Sequence, residues 1–81
     1  MYYVVVNSGD KPVEGETHTR LRDAERAAWI LSAHNMKHGH AERYHVHGQA
    51  ELSPFEDCNL PDWALEVLRG DPGALCHDCK H

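Results

Sequence analysis

The residues with the clearest chemistry are three cysteines in the C-terminal third of the chain. Cys76 and Cys79 form a C-x-x-C pair within the sequence CHDCKH. Two thiolates at this spacing can bind one tetrahedral zinc ion, which needs two further ligands. Cys58 could supply the third, and His81 or His77 the fourth. A second C-x-x-C pair is absent, so the sequence predicts either one zinc ion at these residues or thiols that hold no metal.

Catalytic chemistry is not expected from the same residues. Thioredoxin-type activity places C-x-x-C at the start of a helix, where the dipole activates one thiol, and no helix follows the motif here. No nucleophile elbow or glycine-rich phosphate loop surrounds a Ser, Cys or His. We therefore expect a protein that is not an enzyme.

Histidine is unusually frequent, with eight residues in 81. His34 and His38 are four positions apart, which places them on one face of a helix. His45 and His47 alternate, which places them on one face of a strand. Either pair could chelate a divalent ion, since imidazole is a common metal ligand. The alternative is that both pairs are polar residues on solvated surfaces.

The net charge of −5 is concentrated in the C-terminal third. Residues 1–50 hold six basic and six acidic residues, whereas residues 51–81 hold two basic and seven acidic ones. This distribution opposes binding to phosphate, so nucleic acid is an unlikely partner. The side chains that could bind it are Arg20, Arg22, Arg26 and Lys37 on a helix, with Tyr3 or Tyr44 as stacking rings.

The N-terminal sequence MYYVVVNSGD lacks the basic segment of a signal peptide and the length of a membrane span. An odd number of cysteines also argues against a secreted disulfide framework. The expected location is therefore the cytoplasm, without membrane binding.

Three segments have the composition of strands. Residues 2–6 are aromatic and β-branched on both faces, which predicts a central strand. A turn follows, and residues 13–18 predict an edge strand with weak alternation. In residues 41–52 the alternation of Tyr44 and Val46 with His45 and His47 predicts a third strand, with the first two side chains facing the core.

One long helix is predicted between the second and third strands, from Thr19 as N-cap to His38, with Gly39 as its end. One apolar stripe of this helix is rich in alanine and is expected to pack on the sheet. Its residues are Leu21, Ala24, Ala27, Ala28 and Leu31. A second apolar face contains Trp29, Ile30 and Ala33. This face must be covered either by the C-terminal segment or by a partner.

Residues 60–70 predict a short helix, with Pro61 in its first turn and Gly70 at its end. The expected fold is therefore a single α+β domain over residues 1–81. Residues 1–52 form a ββαβ core with strand order 2-1-3, because a right-handed crossover places the apolar first strand in the middle. Residues 53–81 add the short helix and an acidic Cys/His tail.

Residues 1–50 resemble the small orphan accessory proteins of actinobacterial phages. The resemblance lies in the YVVVN strand, the Gly turn, the helix TRLRDAERAAWIL and the Y-x-V strand. It implies an accessory or host-takeover protein that acts by binding, and it transfers no functional residue.

The leading hypothesis is a non-enzymatic protein-binding module, with a phage-encoded modulator or inhibitor of a host protein as its specific form. Its predicted contact residues are Trp29, Ile30 and Ala33, toward a protein partner or a second copy of the chain. The alternatives are a small zinc-stabilised domain and, third, a nucleic-acid binder.

Overall fold

A computed structural model describes residues 1–49 and 51–70. The predicted α+β fold is confirmed, with three strands, one long helix and one short helix. A single 3-10 helix between the last strand and the short helix was not predicted. The elements are β1 (Tyr2–Val6), β2 (Pro12–His18), α1 (Leu21–Lys37), β3 (Tyr44–Val46), the 3-10 helix (Phe55–Cys58) and α2 (Asp62–Leu68).

The sheet has the predicted order β2-β1-β3, and both neighbours of β1 run antiparallel to it. The pairing of β1 with β2 contains a bulge. Tyr3 pairs with Thr17 and Val5 pairs with Pro12, so a step of two residues along β1 corresponds to a step of five residues along β2. Gly15 lies inside this bulge at a φ of +82°, which residues with a side chain rarely adopt. The bulge explains why the alternation of β2 is weak in the sequence.

The N-cap of α1 is Arg20, so the prediction of Thr19 was wrong by one residue. Arg20 has extended backbone angles and no side-chain cap, and its carbonyl accepts the first helical hydrogen bond from the amide of Ala24 at 3.2 Å. The predicted end is confirmed, because Gly39 has a φ of +76° and its amide bonds the carbonyl of Met36. Within residues 1–49 and 51–70, no helix is long and apolar enough to cross a membrane.

The predicted alanine stripe of α1 packs on the sheet. Ala24 and Ala28 are completely buried against Val4 of β1 and Val46 of β3. A methyl side chain at each position allows the helix backbone to approach the strands closely. The larger side chains Leu21 and Leu31 border this contact and are half-buried, with Tyr44 facing the same cluster as predicted.

The second apolar face of α1 is covered by the same chain, which was one of the two predicted alternatives. Trp29 packs edge-on against Phe55 of the 3-10 helix, with ring centroids 5.7 Å apart. The indole Nε1 of Trp29 also donates to the carbonyl oxygen of Ser53 at 2.9 Å. The buried members of this second cluster are Ala33, Cys58, Leu60, Ala64 and Val67.

A buried carboxylate anchors the chain where it enters this cover. Glu25 is 4% exposed, and its Oε2 accepts hydrogen bonds from the amide of Ser53 at 2.8 Å and from its hydroxyl at 2.9 Å. Such charge-assisted bonds offset the cost of burying the carboxylate. The role of Glu25 in the structure is to position residue 53.

Candidate functional site

The predicted metal ligands are only partly within the described residues. Cys58 is 1% exposed at the end of the 3-10 helix, and its thiol lies 3.6 Å from the carbonyl oxygen of Pro54. Cys76, Cys79 and His81 lie outside the described residues. Among residues 1–49 and 51–70, no three His, Cys, Asp or Glu side chains are grouped to hold a metal. The zinc site therefore stays a prediction.

The surroundings of Cys58 favour its neutral thiol. Burial raises the pKa of Cys58, and the nearby carboxylate of Glu25 raises it further, while the guanidinium of Arg22 acts in the opposite direction. A thiolate is the form that binds zinc or acts as a nucleophile. In this arrangement Cys58 behaves as a small apolar core residue.

The three predicted protein-binding residues lie mostly beneath the C-terminal cover. Ala33 is completely buried, so it cannot contact a partner in this fold. Trp29 and Ile30 are half-buried against the second cluster. The apolar face that suggested a partner is thus largely filled by residues 55–68, and a contact role for Trp29 and Ile30 stays a prediction.

Two arginines proposed for nucleic acid have a structural role. Arg22 donates through Nη1 to the carbonyl of Asp57 at 2.9 Å, and Arg26 donates through Nε to the carbonyl of Asn59 at 3.1 Å. These bonds tie α1 to the end of the 3-10 helix. Tyr44, a proposed stacking ring, faces the helix, and its hydroxyl accepts from Nδ2 of Asn35 at 3.3 Å.

His45 of β3 and His47, the residue after the strand, differ in their contacts on the outer face of the sheet. Nδ1 of His45 lies 2.5 Å from Oδ1 of Asn7, and Nε2 lies 3.1 Å from Oδ1 of Asp10. His45 therefore fastens β3 to the turn between β1 and β2. His47, two residues on, is exposed.

The outer face of the sheet contains a groove of about 380 Å³. We call it the sheet groove; its lining is Tyr3, Val5, Asp10, Pro12, Val13, Glu14, Gly15, Thr17 and His47. The bulge in β2 creates it, because the bulged residues no longer lie flat beside β1. The isolated Gly15 inside a strand pattern is the sequence signal that predicts such a bulge.

The sheet groove combines an apolar floor with an acidic rim. Val5 is 1% exposed and lies at the floor, paired with Pro12. Val13 also lines the groove, but it packs against the cluster beneath α1. Glu14 is an exposed carboxylate at the rim, and the ring of Tyr3 is 46% exposed beside it. In the described part of the chain, no residue of a helix lines this groove, and the main helix contact of the sheet is with α1.

Comparison with protein-family models, curated proteins and solved structures gave no match.

Replacing Cys58 with alanine should weaken the dependence of stability on alkaline pH. An unfolded cysteine loses its proton at about pH 8.5, whereas burial raises the pKa of Cys58, so the folded chain keeps the proton. The free energy of unfolding of the wild type should then fall as the pH rises above about 8.5. Urea unfolding at several pH values should show a smaller fall for Cys58→Ala.

The control is Val67→Ala, which removes buried atoms from the same cluster without removing a titrating group. It should keep the wild-type slope. If Cys58→Ala also keeps that slope, the thiol does not titrate differently in the folded and unfolded chains, and our description of its environment is wrong.

His45 and His47 provide a matched pair of substitutions. His45→Ala removes both contacts to the β1–β2 turn and should lower the free energy of unfolding by about 1 kcal/mol, the usual net worth of such hydrogen bonds. His47→Ala, at an exposed position just after the strand, should change it by less than about 0.5 kcal/mol. Urea denaturation at neutral pH measures both. Equal costs for the two variants would contradict the assigned role of His45.

Proposed function

We propose that this chain is a non-enzymatic protein-binding module that contacts its partner through the sheet groove and the exposed ring of Tyr3. The observation that carries the proposal is the composition of this face. An exposed tyrosine stands beside a buried apolar floor, and no residue of a described helix lines the groove. Tyrosines beside apolar pockets are frequent energetic centres of protein interfaces.

The lining suggests what part of a partner would bind. The exposed residues Tyr3 and Pro12 offer apolar contacts to an inserted side chain, while Glu14 at the rim would attract a cation. A partner segment with an apolar residue next to a lysine or arginine matches both features. The exposed ring of Tyr3 could also stack on an arginine of the partner.

Insertion of side chains fits this surface better than addition of a strand at β3. The amide of Tyr44 donates to the hydroxyl of Ser32 at 3.0 Å, and the carbonyl of Val46 accepts from the amide of Gln49 at 3.0 Å. These backbone groups are therefore unavailable to a strand added at this edge. On the other edge, Pro12 and the bulge interrupt β2.

The polar groups of the groove favour a binding role over a catalytic one. Nucleophilic catalysis needs a hydroxyl or thiol activated by an adjacent base. No hydrogen bond within the described residues joins the hydroxyl of Thr17 to His47, the histidine that lines the groove. The resemblance of residues 1–50 to phage accessory proteins adds the prediction that the partner is a host protein, met in the host cytoplasm.

The proposal predicts that a charge reversal at the groove weakens binding and that the same change elsewhere does not. Glu14→Lys places a cation at the rim, whereas Glu66→Lys makes the same change on an exposed position of α2. Both variants should melt like the wild type. In affinity capture from a host lysate, Glu14→Lys and Tyr3→Ser should each retain about tenfold less of the wild-type partner, because the first repels a cation of the partner and the second removes an aromatic contact.

Glu66→Lys should capture the partner as the wild type does. The proposal fails if the wild type captures no specific protein, or if Glu14→Lys and Tyr3→Ser capture as much as Glu66→Lys.

A further inference from the structure

Two exposed histidines meet at the C-terminal end of α1. His34 lies in the last turn of the helix, and His38 is its C-cap residue. Their ring centroids are 4.6 Å apart, and the ring planes are tilted by 49°. The pair is thus already adjacent in the fold and belongs neither to the sheet groove nor to the two apolar clusters.

We propose that His34 and His38 form a two-ligand site for a divalent transition-metal ion. Each imidazole would supply one nitrogen, and water would complete the coordination sphere. Imidazole nitrogens suit Zn²⁺, Ni²⁺ and Cu²⁺, and histidines four residues apart on a helix can reach the same ion. Only two protein ligands are involved, which agrees with the lack of any three-ligand group among residues 1–49 and 51–70.

The position on the helix favours a bound cation. The carbonyl groups of the last helical turn carry partial negative charge, so a cation is stabilised there. Both side chains are exposed, and their rings already lie side by side. Lys37 in this turn carries a positive charge that would repel a bound cation. Its Nζ points to the Trp63 ring, 5.6 Å from the ring centroid.

Metal binding would stabilise the end of α1. An ion held by both residues links the C-cap to the preceding turn, next to Gly39, where the helix ends. Binding to the folded chain raises its stability according to ligand concentration and affinity. It should weaken at acidic pH, because a protonated imidazole cannot coordinate a metal.

The test is titration with NiCl₂ by isothermal calorimetry and thermal melting. Every variant is made in the full chain carrying C76S and C79S, so that the thiols of the C-x-x-C pair cannot bind the ion. We expect one ion per chain and a higher melting temperature with nickel. His34→Gln and His38→Gln should each lower the affinity by about tenfold or more, because chelation by two linked ligands is lost.

His47→Gln is the control, since it removes an exposed histidine from the sheet. It should bind nickel with unchanged affinity and show the same rise in melting temperature. The proposal is overturned if His34→Gln or His38→Gln binds as tightly as the parent chain, if His47→Gln is the variant that loses binding, or if the parent binds no nickel.

Discussion

The structure depends on the need to bury two apolar faces of one helix. The sheet covers one face of α1 through Ala24 and Ala28, and residues 55–68 cover the other around Ala33. Neither cover is large, and a fully buried valine contributes only about 1.5–3 kcal/mol. In a chain of 81 residues the two clusters are therefore expected to be stable only together.

Polar contacts fix how the C-terminal cover lies on the helix. Glu25 holds Ser53 at one end of the cover, and Arg22 and Arg26 hold the carbonyls of Asp57 and Asn59 at the other. Each of these side chains projects from α1. The helix thus carries the polar groups that position its own cover, and no residue of the described helices lines the sheet groove on the outer face of the sheet.

Much of the fold follows from sequence patterns, because the strongest patterns belong to its largest contacts. The apolar residues of β1 predicted a central strand, and the alanine stripe predicted a helix lying close on it. The two apolar faces also predicted the need for a second cover. Thr19 was predicted as the N-cap because its hydroxyl could cap the helix. In the structure Arg20 is the N-cap, because its backbone is extended and the helix begins at the next residue, Leu21.

The candidate site was harder to predict, since it depends on irregular backbone and on contacts distant in sequence. The sheet groove depends on the shift of register opposite Gly15, and the composition of the sequence around this glycine does not determine how far the register shifts. The contacts of Arg22 and Arg26 span more than thirty positions to backbone carbonyls, which carry no sequence signal. Adjacency of His34 and His38, in contrast, follows directly from helical periodicity.

Native-state hydrogen exchange tests most directly whether the sheet and the C-terminal cover form one cooperative core through α1. The amides of β1, α1 and α2 should exchange in low urea with the same free energy of opening, because each cluster loses its support when the other opens. If α2 opens with a much lower free energy while β1 and α1 stay protected, the cover is dispensable. The helix would then not need both of its apolar faces buried, contrary to our account.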